Sequence, residues 1–192
     1  MRAADPEGRR IRAAGARRSL RVIAGELGGR PLRAPRGTRT RPTADRVREA
    51  LFSMLGDVGG ARVLDLYAGS GALGIEAISR GASSAVFVER DPRAAAVVER
   101  NLASLGLEER VVRQDALRFL ARAEGTYDLV FCDPPYDSAS RLARALAERL
   151  HPVTPQGARI VTESDKRRPL ELPFPLLVER SYGDTRIAIH AR

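Results

Sequence analysis

Five short runs rich in apolar and β-branched residues, 62–67, 85–89, 110–113, 127–132 and 159–163, alternate with stretches of helical periodicity, and this alternation restricts the fold more than any other feature. A strand followed by a helix, repeated, closes naturally as a parallel sheet with helices on both faces. The intervening helices are expected over Ala72–Arg80, which stops at Gly81, and from Asp91 to Leu105. In the second of these Asp91 is the cap, Pro92 the first helical position and Gly106 the terminator. A short helix is expected over Ala116–Ala123, and another over Ser138–Leu150 with Leu142, Leu146 and Leu150 on one stripe. After Pro169 the pattern changes: Leu176–Tyr182 and Arg186–His190 flank Gly183-Asp184 as a terminal β-hairpin with no helix between them. The expected class is therefore α/β, with a mainly parallel, seven-stranded sheet and a C-terminal β-hairpin.

Ahead of this body the composition shifts. Of 192 residues, the first 48 carry fourteen arginines against Asp5, Glu7, Glu26 and Asp45, whereas the remainder is close to neutral. Lys166 is the only lysine, so an Arg-preferring genome explains Arg over Lys, but not the clustering. Arginine forks seek phosphates, which makes a nucleic-acid partner the better reading. Residues 1–18 lack hydrophobic periodicity and are expected to be a disordered basic arm. Residues 19–38 contain Leu20–Ala24 and Arg30–Ala34 around a glycine-rich turn, a small N-terminal β-hairpin extension whose arginines are expected to touch phosphates. From residue 39 a single domain runs to 192. Thr43 is the expected N-cap of a helix reaching Leu55, with Val47, Ala50, Leu51, Met54 and Leu55 on its apolar face. That face leaves Arg39, Arg41, Arg46 and Arg48 at the helix start unexplained. No run is long enough to span a bilayer, and no signal peptide is evident. The lone Cys132 excludes a disulfide framework and a cysteine-based zinc site; within its strand it reads as packing. No metal site is expected, and His151 and His190 read as structural.

The fourth strand ends at Asp133-Pro134-Pro135-Tyr136. Two prolines end ladder pairing and fix a rigid turn, at the sheet edge where open α/β folds bind ligands. The Asp133 carboxylate and the Pro134 carbonyl are two acceptors suited to the hydrogens of an exocyclic nucleobase amine. Held by both, the nitrogen is drawn toward a tetrahedral shape that frees its lone pair, and Tyr136 offers a face for an unstacked base. The plain alternative is a strand-ending turn with a capping Asp and a surface Tyr.

The first strand leads into Asp65-Leu-Tyr-Ala-Gly69-Ser-Gly71-Ala-Leu-Gly74. The glycine spacing lets a ligand approach backbone at a helix N-terminus, and serves the pyrophosphate of NAD or the methionine part of S-adenosylmethionine equally. Glu89, closing the second strand, can bridge ribose hydroxyls of either. Asp65 suits the methionine ammonium and not a pyrophosphate. Asp115 after the third strand and Asp133 after the fourth complete four acids at four successive strand ends, which converge on one crevice.

The stretch Val63–Tyr136 resembles class I S-adenosylmethionine-dependent methyltransferases that methylate amines, whose marker is [DN]PP[YF]. More narrowly, Arg41–Phe52, Asp65–Ala77 and Phe131–Tyr136 resemble the RsmD family of bacterial 16S ribosomal RNA guanine-N2 methyltransferases. Val22–Arg30 and Tyr182–Thr185 are also similar to that family. The resemblance implies a Rossmann-like fold, S-adenosylmethionine as cofactor, and 16S rRNA of the small subunit as substrate, acted on by a cytoplasmic monomer. It implies that Asp65, Tyr67, Gly69, Gly71, Gly74, Glu89, Arg90, Asp115 and Ala116 hold the cofactor, the last two near its adenine. It implies that Asp133, Pro134, Pro135 and Tyr136 receive the guanine, and that Arg21, Arg30, Arg39, Arg41, Thr43, Arg46 and Arg48 contact the nucleic acid. Ala68 departs from the glycine many methyltransferases carry in this loop. Three rivals stay open: an adenine-N6 methylase acting on DNA or another RNA, an NAD-linked oxidoreductase, and a non-catalytic RNA-binding assembly factor.

Overall fold

A computed structural model describes residues 20–35, 42–134 and 139–192. The sheet order is β3-β2-β1-β4-β5-β7-β6, formed by β1 (Arg62–Leu66), β2 (Ser84–Val88), β3 (Arg110–Val112), β4 (Leu129–Cys132), β5 (Arg159–Asp165), β6 (Leu176–Tyr182) and β7 (Thr185–Ala191). The first five strands are mutually parallel; β7 runs antiparallel to β5 and to β6. Five parallel strands, five matching runs in the sequence, and a closing hairpin agree with the expected α/β architecture. β5 runs two residues beyond its expected end because β7 pairs with it through Ser164↔Arg186 and Asp165↔Thr185.

Strand alternation divides the interior into two layers. Val63, Phe87, Leu129, Phe131 and Val161 face one layer with α1 (Pro42–Leu55), α2 (Ala72–Ser79) and α3 (Pro92–Leu105). Leu64, Leu66, Val88, Val130, Cys132 and Ile160 face the other, with α4 (Ala116–Leu120) and α5 (Ala139–Leu150). Phe52 of α1 lies 5.8 Å from Phe131, ring centre to ring centre, which seats α1 over the carboxyl half of β4. Burying such rings fully is worth about 1.5–3 kcal/mol each.

Helix α1 begins at Pro42, so Thr43 lies inside it and is not the N-cap; proline's fixed φ suits a first helical turn. The N-terminal hairpin is reduced to one antiparallel bridge, Arg21↔Pro31, made by Val22 N–H to the Arg30 carbonyl at 2.9 Å and Leu32 N–H to the Leu20 carbonyl at 2.7 Å. It is held instead by α2. Ile23 N–H and Ala24 N–H donate to the Glu76 carboxylate at 2.7 and 3.0 Å, and Leu27 N–H donates to Ser79 Oγ at 3.0 Å. Gly25 is required there: a Cβ would stand 1.8 Å from the Ser79 carbonyl oxygen.

Arg48 is a correction to the expected phosphate contacts. It is 5% exposed, donates to the Arg21 carbonyl, and pairs with Asp45 at 3.3 Å and with the fully buried Glu76 at 3.7 Å. Arg80 completes the network, 2.8 Å from Glu76, with its guanidinium stacked over Phe52. Arg48 therefore staples α1 and the hairpin to α2 and is withdrawn from solvent. Arg48→Met is expected to lower unfolding stability by about 3 kcal/mol, because Glu76 loses a buried counter-charge. Arg46→Met, at an exposed position on the same helix, is expected to change it by less than about 0.5 kcal/mol. Urea denaturation of the two variants checks the contrast.

Candidate active site

The sheet reverses its winding between β1 and β4, which pair as Leu66↔Cys132. The next residues, Tyr67 and Asp133, therefore leave adjacent strands side by side at the topological switch point. This brings the glycine turn and the Asp-Pro corner together, as the sequence requires. Pro135 and Tyr136 lie outside the described residues, as do Arg39 and Arg41.

The turn from β1 to α2 has one strained residue. Tyr67 has φ +61°, and among the described residues it is the one non-glycine at positive φ. Such a conformation costs a side-chain-bearing residue on the order of 1 kcal/mol or more. Tyr67 is held there by pairing around it: Ala68 N–H donates to Val88 O at 3.1 Å and Gly71 N–H to Ala68 O at 2.7 Å. Ala68 itself is buried at negative φ, so the residue that departs from the common methyltransferase loop fits without strain. The Tyr67 ring packs into the α4–α5 layer, and its hydroxyl is pushed above its ordinary pKa by burial and by the nearby Cys132 and Asp115.

The three glycines serve different ends. Gly69 needs its φ of +57°, and a Cβ there would point into open space with only the Tyr67 carbonyl within 4 Å. Gly71 is the left-handed N-cap of α2. Gly74 is a packing residue: a Cβ would stand 2.4 Å from the Phe87 ring and 3.2 Å from Asp65 Oδ2. Helix α2 can thus lie hard against β2, with the loop backbone bare on the crevice side. Asn101 of α3 braces the loop, its amide donating to the Ser70 carbonyl at 2.9 Å.

The acids are placed as follows. Asp65 is 2% exposed and accepts from Gly74 N–H at 2.9 Å. Burial lifts its pKa to about 7, against the lowering effect of that bond and with a further push from Glu89. Glu89 accepts from Gly69 N–H and from Asp91 N–H, both at 2.9 Å, tying the glycine loop to the β2–α3 turn. Each oxygen keeps a lone pair for another donor. Asp115 caps α4 through Arg118 N–H at 3.1 Å, ahead of the buried Ala116. Arg90 is exposed beside the loop. Asp133 is half-buried, followed by a buried Pro134. Burial, then Glu163, then Asp65 raise the Asp133 pKa well above the ordinary carboxylate range.

Glu163 was missed as a site residue in the sequence. It lies within β5, one step beyond the Cys132↔Thr162 pair and beside Asp133, and burial raises its pKa as well. The sequence offers one signal, that the fifth apolar run, 159–163, ends on this acid as the second run ends on Glu89.

Of the residues expected to meet nucleic acid, Arg21 is exposed and 3.6 Å from Asp45, and Arg30 is exposed with a 3.2 Å bond to the Ser104 carbonyl. Arg46 is exposed on α1, and Thr43 stands in its first turn. The acceptor set fits S-adenosylmethionine: a buried acid near the loop for an ammonium, Glu89 for ribose hydroxyls, and bare backbone at Gly69. Among the described residues no group of His, Cys, Asp and Glu could hold a metal ion, and no helix is long and apolar enough to cross a membrane.

The model of the family described as "Conserved hypothetical protein 95" matches residues 20–191. The chain is 35% identical to the ribosomal RNA small subunit methyltransferase D of Haemophilus influenzae over 187 residues, 91% of this chain and 95% of that one. It is 40% identical to YlbH of Bacillus subtilis over 184 residues, 90% and 99% of the two chains. The solved structure of Escherichia coli yhhF superposes with a TM-score of 0.80 at 36% identity, covering 90% of this chain and 97% of that one.

Proposed function

The chain belongs to the family of the ribosomal RNA small subunit methyltransferases D, and from that premise we propose that it methylates the exocyclic N2 amine of a guanine in 16S rRNA with S-adenosylmethionine as donor. The observation that carries this reading is the adjacency of the Asp133-Pro134 corner to the Tyr67–Gly71 turn across the β1–β4 pair. An amine acceptor site and a cofactor loop share one crevice.

Asp65, Gly69, Glu89 and Asp115 would hold the cofactor, with Tyr67, Gly71, Gly74, Arg90 and Ala116 shaping or flanking its site. Bound there, S-adenosylmethionine supplies a sulfonium methyl open to direct displacement by an amine. The protein's part is alignment and charge. Asp133 and the Pro134 carbonyl hold the two amine hydrogens, so the nitrogen lone pair faces the glycine turn; alignment of this kind can reach effective molarities of ~10^5 M or more. As the nitrogen becomes positive, the Asp133 carboxylate stabilises it and takes the proton it sheds. Pro135 and Tyr136 are assigned by sequence alone to the base pocket. Arg21, Arg30 and Arg46, with Arg39, Arg41 and Thr43, are assigned to the RNA backbone. A ribosomal substrate places the enzyme in the bacterial cytoplasm.

Incubation with tritiated cofactor and either naked rRNA or small subunits tests the reading. The expected label is 2-methylguanine in 16S rRNA; label at adenine N6, or in DNA alone, would replace the guanine assignment.

A further inference from the structure

Among the described residues, Asp133 and Glu163 are paired with no cation, N–H or O–H group, although both are half-buried, Asp133 just past the end of β4 and Glu163 on the neighbouring β5. The other inward acids of the crevice are occupied: Asp65 by Gly74, Glu89 by Gly69 and Asp91, Asp115 by Arg118. The parallel register sets the pair's direction. Phe131 and Val161 are partners facing the α1–α2 layer, so two residues further on Asp133 and Glu163 leave their strands toward that same side. Helix α1 lies over this side through Phe52 and Phe131.

The amine acceptor Asp133 thus has a second, unengaged carboxylate beside it. Guanine presents two kinds of donor on its Watson–Crick edge, N2–H and N1–H, the edge by which a flipped base is read. Adenine presents an acceptor at N1, and so does 2-aminopurine, which keeps the 2-amine. On the reading that this site methylates guanine N2, we propose that Glu163 accepts the N1–H of the target base and thereby selects guanine over purines with an unprotonated N1.

The choice of Glu follows from chemistry. A carboxylate facing N1–H makes a charge-assisted bond; the same carboxylate facing a bare N1 sets two acceptors against each other in a half-buried site. The contact also strengthens during the reaction. As N2 gains positive charge, N1–H becomes a better donor, so Glu163 lowers the barrier as well as reading the base. The atoms balance within the proposed displacement: the C–S pair of electrons leaves with sulfur, the N2 lone pair forms N–C, and the N2 proton passes to the Asp133 side of the carboxylate pair and then to water.

The test uses the full chain and small-subunit rRNA carrying either guanine or 2-aminopurine at the target nucleotide. Wild type is expected to methylate guanine at least about tenfold faster, in kcat/KM, than 2-aminopurine. Glu163→Gln, whose amide can accept from N1–H only as a neutral group and can donate to a bare N1, is expected to lose about tenfold or more on guanine and little or nothing on 2-aminopurine. S-adenosylhomocysteine binding serves as the folding control, with Glu163→Leu as the second variant if Gln fails it. A guanine to 2-aminopurine ratio unchanged by both substitutions, or an equal loss on both bases, overturns the inference. Failure of wild type to label guanine N2 at all would instead overturn the function on which it rests.

Discussion

Asp133→Ala is expected to lower kcat by roughly 10^3-fold while leaving affinity for S-adenosylhomocysteine within about threefold of wild type. The asymmetry follows from where the side chain stands. Asp133 leaves β4, opposite the glycine turn, and makes no bond to the loop or to Glu89, so its loss leaves the backbone that receives a nucleoside unchanged. What disappears is the group that polarises the amine and takes its proton. Folding gives no compensating penalty, since burial and the neighbouring Glu163 and Asp65 already hold this carboxyl far above its ordinary pKa. Removing such an acid relieves the native state. Near-normal turnover by the variant in a single-turnover assay with small subunits would remove the role assigned to Asp133. A variant that neither turns over nor binds S-adenosylhomocysteine would show that the residue is needed for structure.

The same crevice explains which parts of the molecule are legible in the sequence. Parallel strands packed between helices leave apolar runs, which mark β1 to β5, and the Gly183-Asp184 turn marks the antiparallel β6 and β7; strand ends are displaced by at most two residues. Helix α3 is found at its exact bounds because its punctuation is local: Asp91 accepts from Arg93 N–H, Pro92 follows, and Gly106 closes in the left-handed region. The glycine turn and the Asp-Pro corner are legible because few residue types can occupy them. Arginine is harder to read. Nothing in the one-dimensional pattern separates Arg46, which is exposed, from Arg48, whose partner Glu76 lies 28 positions away on another helix and is wholly buried. Charge clustering reports composition, whereas burial depends on the packing of α1 over β4. Glu163 is harder to read for another reason: no glycine or proline follows it and β5 continues to Asp165, so only the β4–β5 register sets it beside Asp133.

Asp65→Asn is expected to gain roughly 3 kcal/mol of stability on wild type between pH 5 and pH 8, because wild type declines over that span and the variant does not. Asp65 ordinarily ionises near 3.8, but in the fold it does so at about 7, chiefly because it is buried. Between those values the native state keeps a proton that the unfolded chain has released. The unfolded state therefore binds fewer protons, and unfolding free energy falls as pH rises through this window, levelling off above about 7. At about 1.4 kcal/mol per pH unit the effect is capped at roughly 4 kcal/mol. Asparagine does not titrate, and its carbonyl can still accept from Gly74 N–H, so the variant lacks this decline. Above about pH 7 the native protein holds an ionised acid at that depth at a cost in stability, which a positive charge arriving beside it offsets. The cofactor's ammonium is that charge in the proposed function, so wild-type affinity for S-adenosylhomocysteine should climb between pH 6 and 8, whereas Asp65→Asn should bind more weakly, by about tenfold or more at pH 8, with a flatter profile. Urea midpoints at the two pH values, paired with calorimetric titrations, measure both halves. A stability difference between variant and wild type that stays constant with pH would mean that Asp65 is not the buried acid whose neutralisation couples folding to cofactor binding.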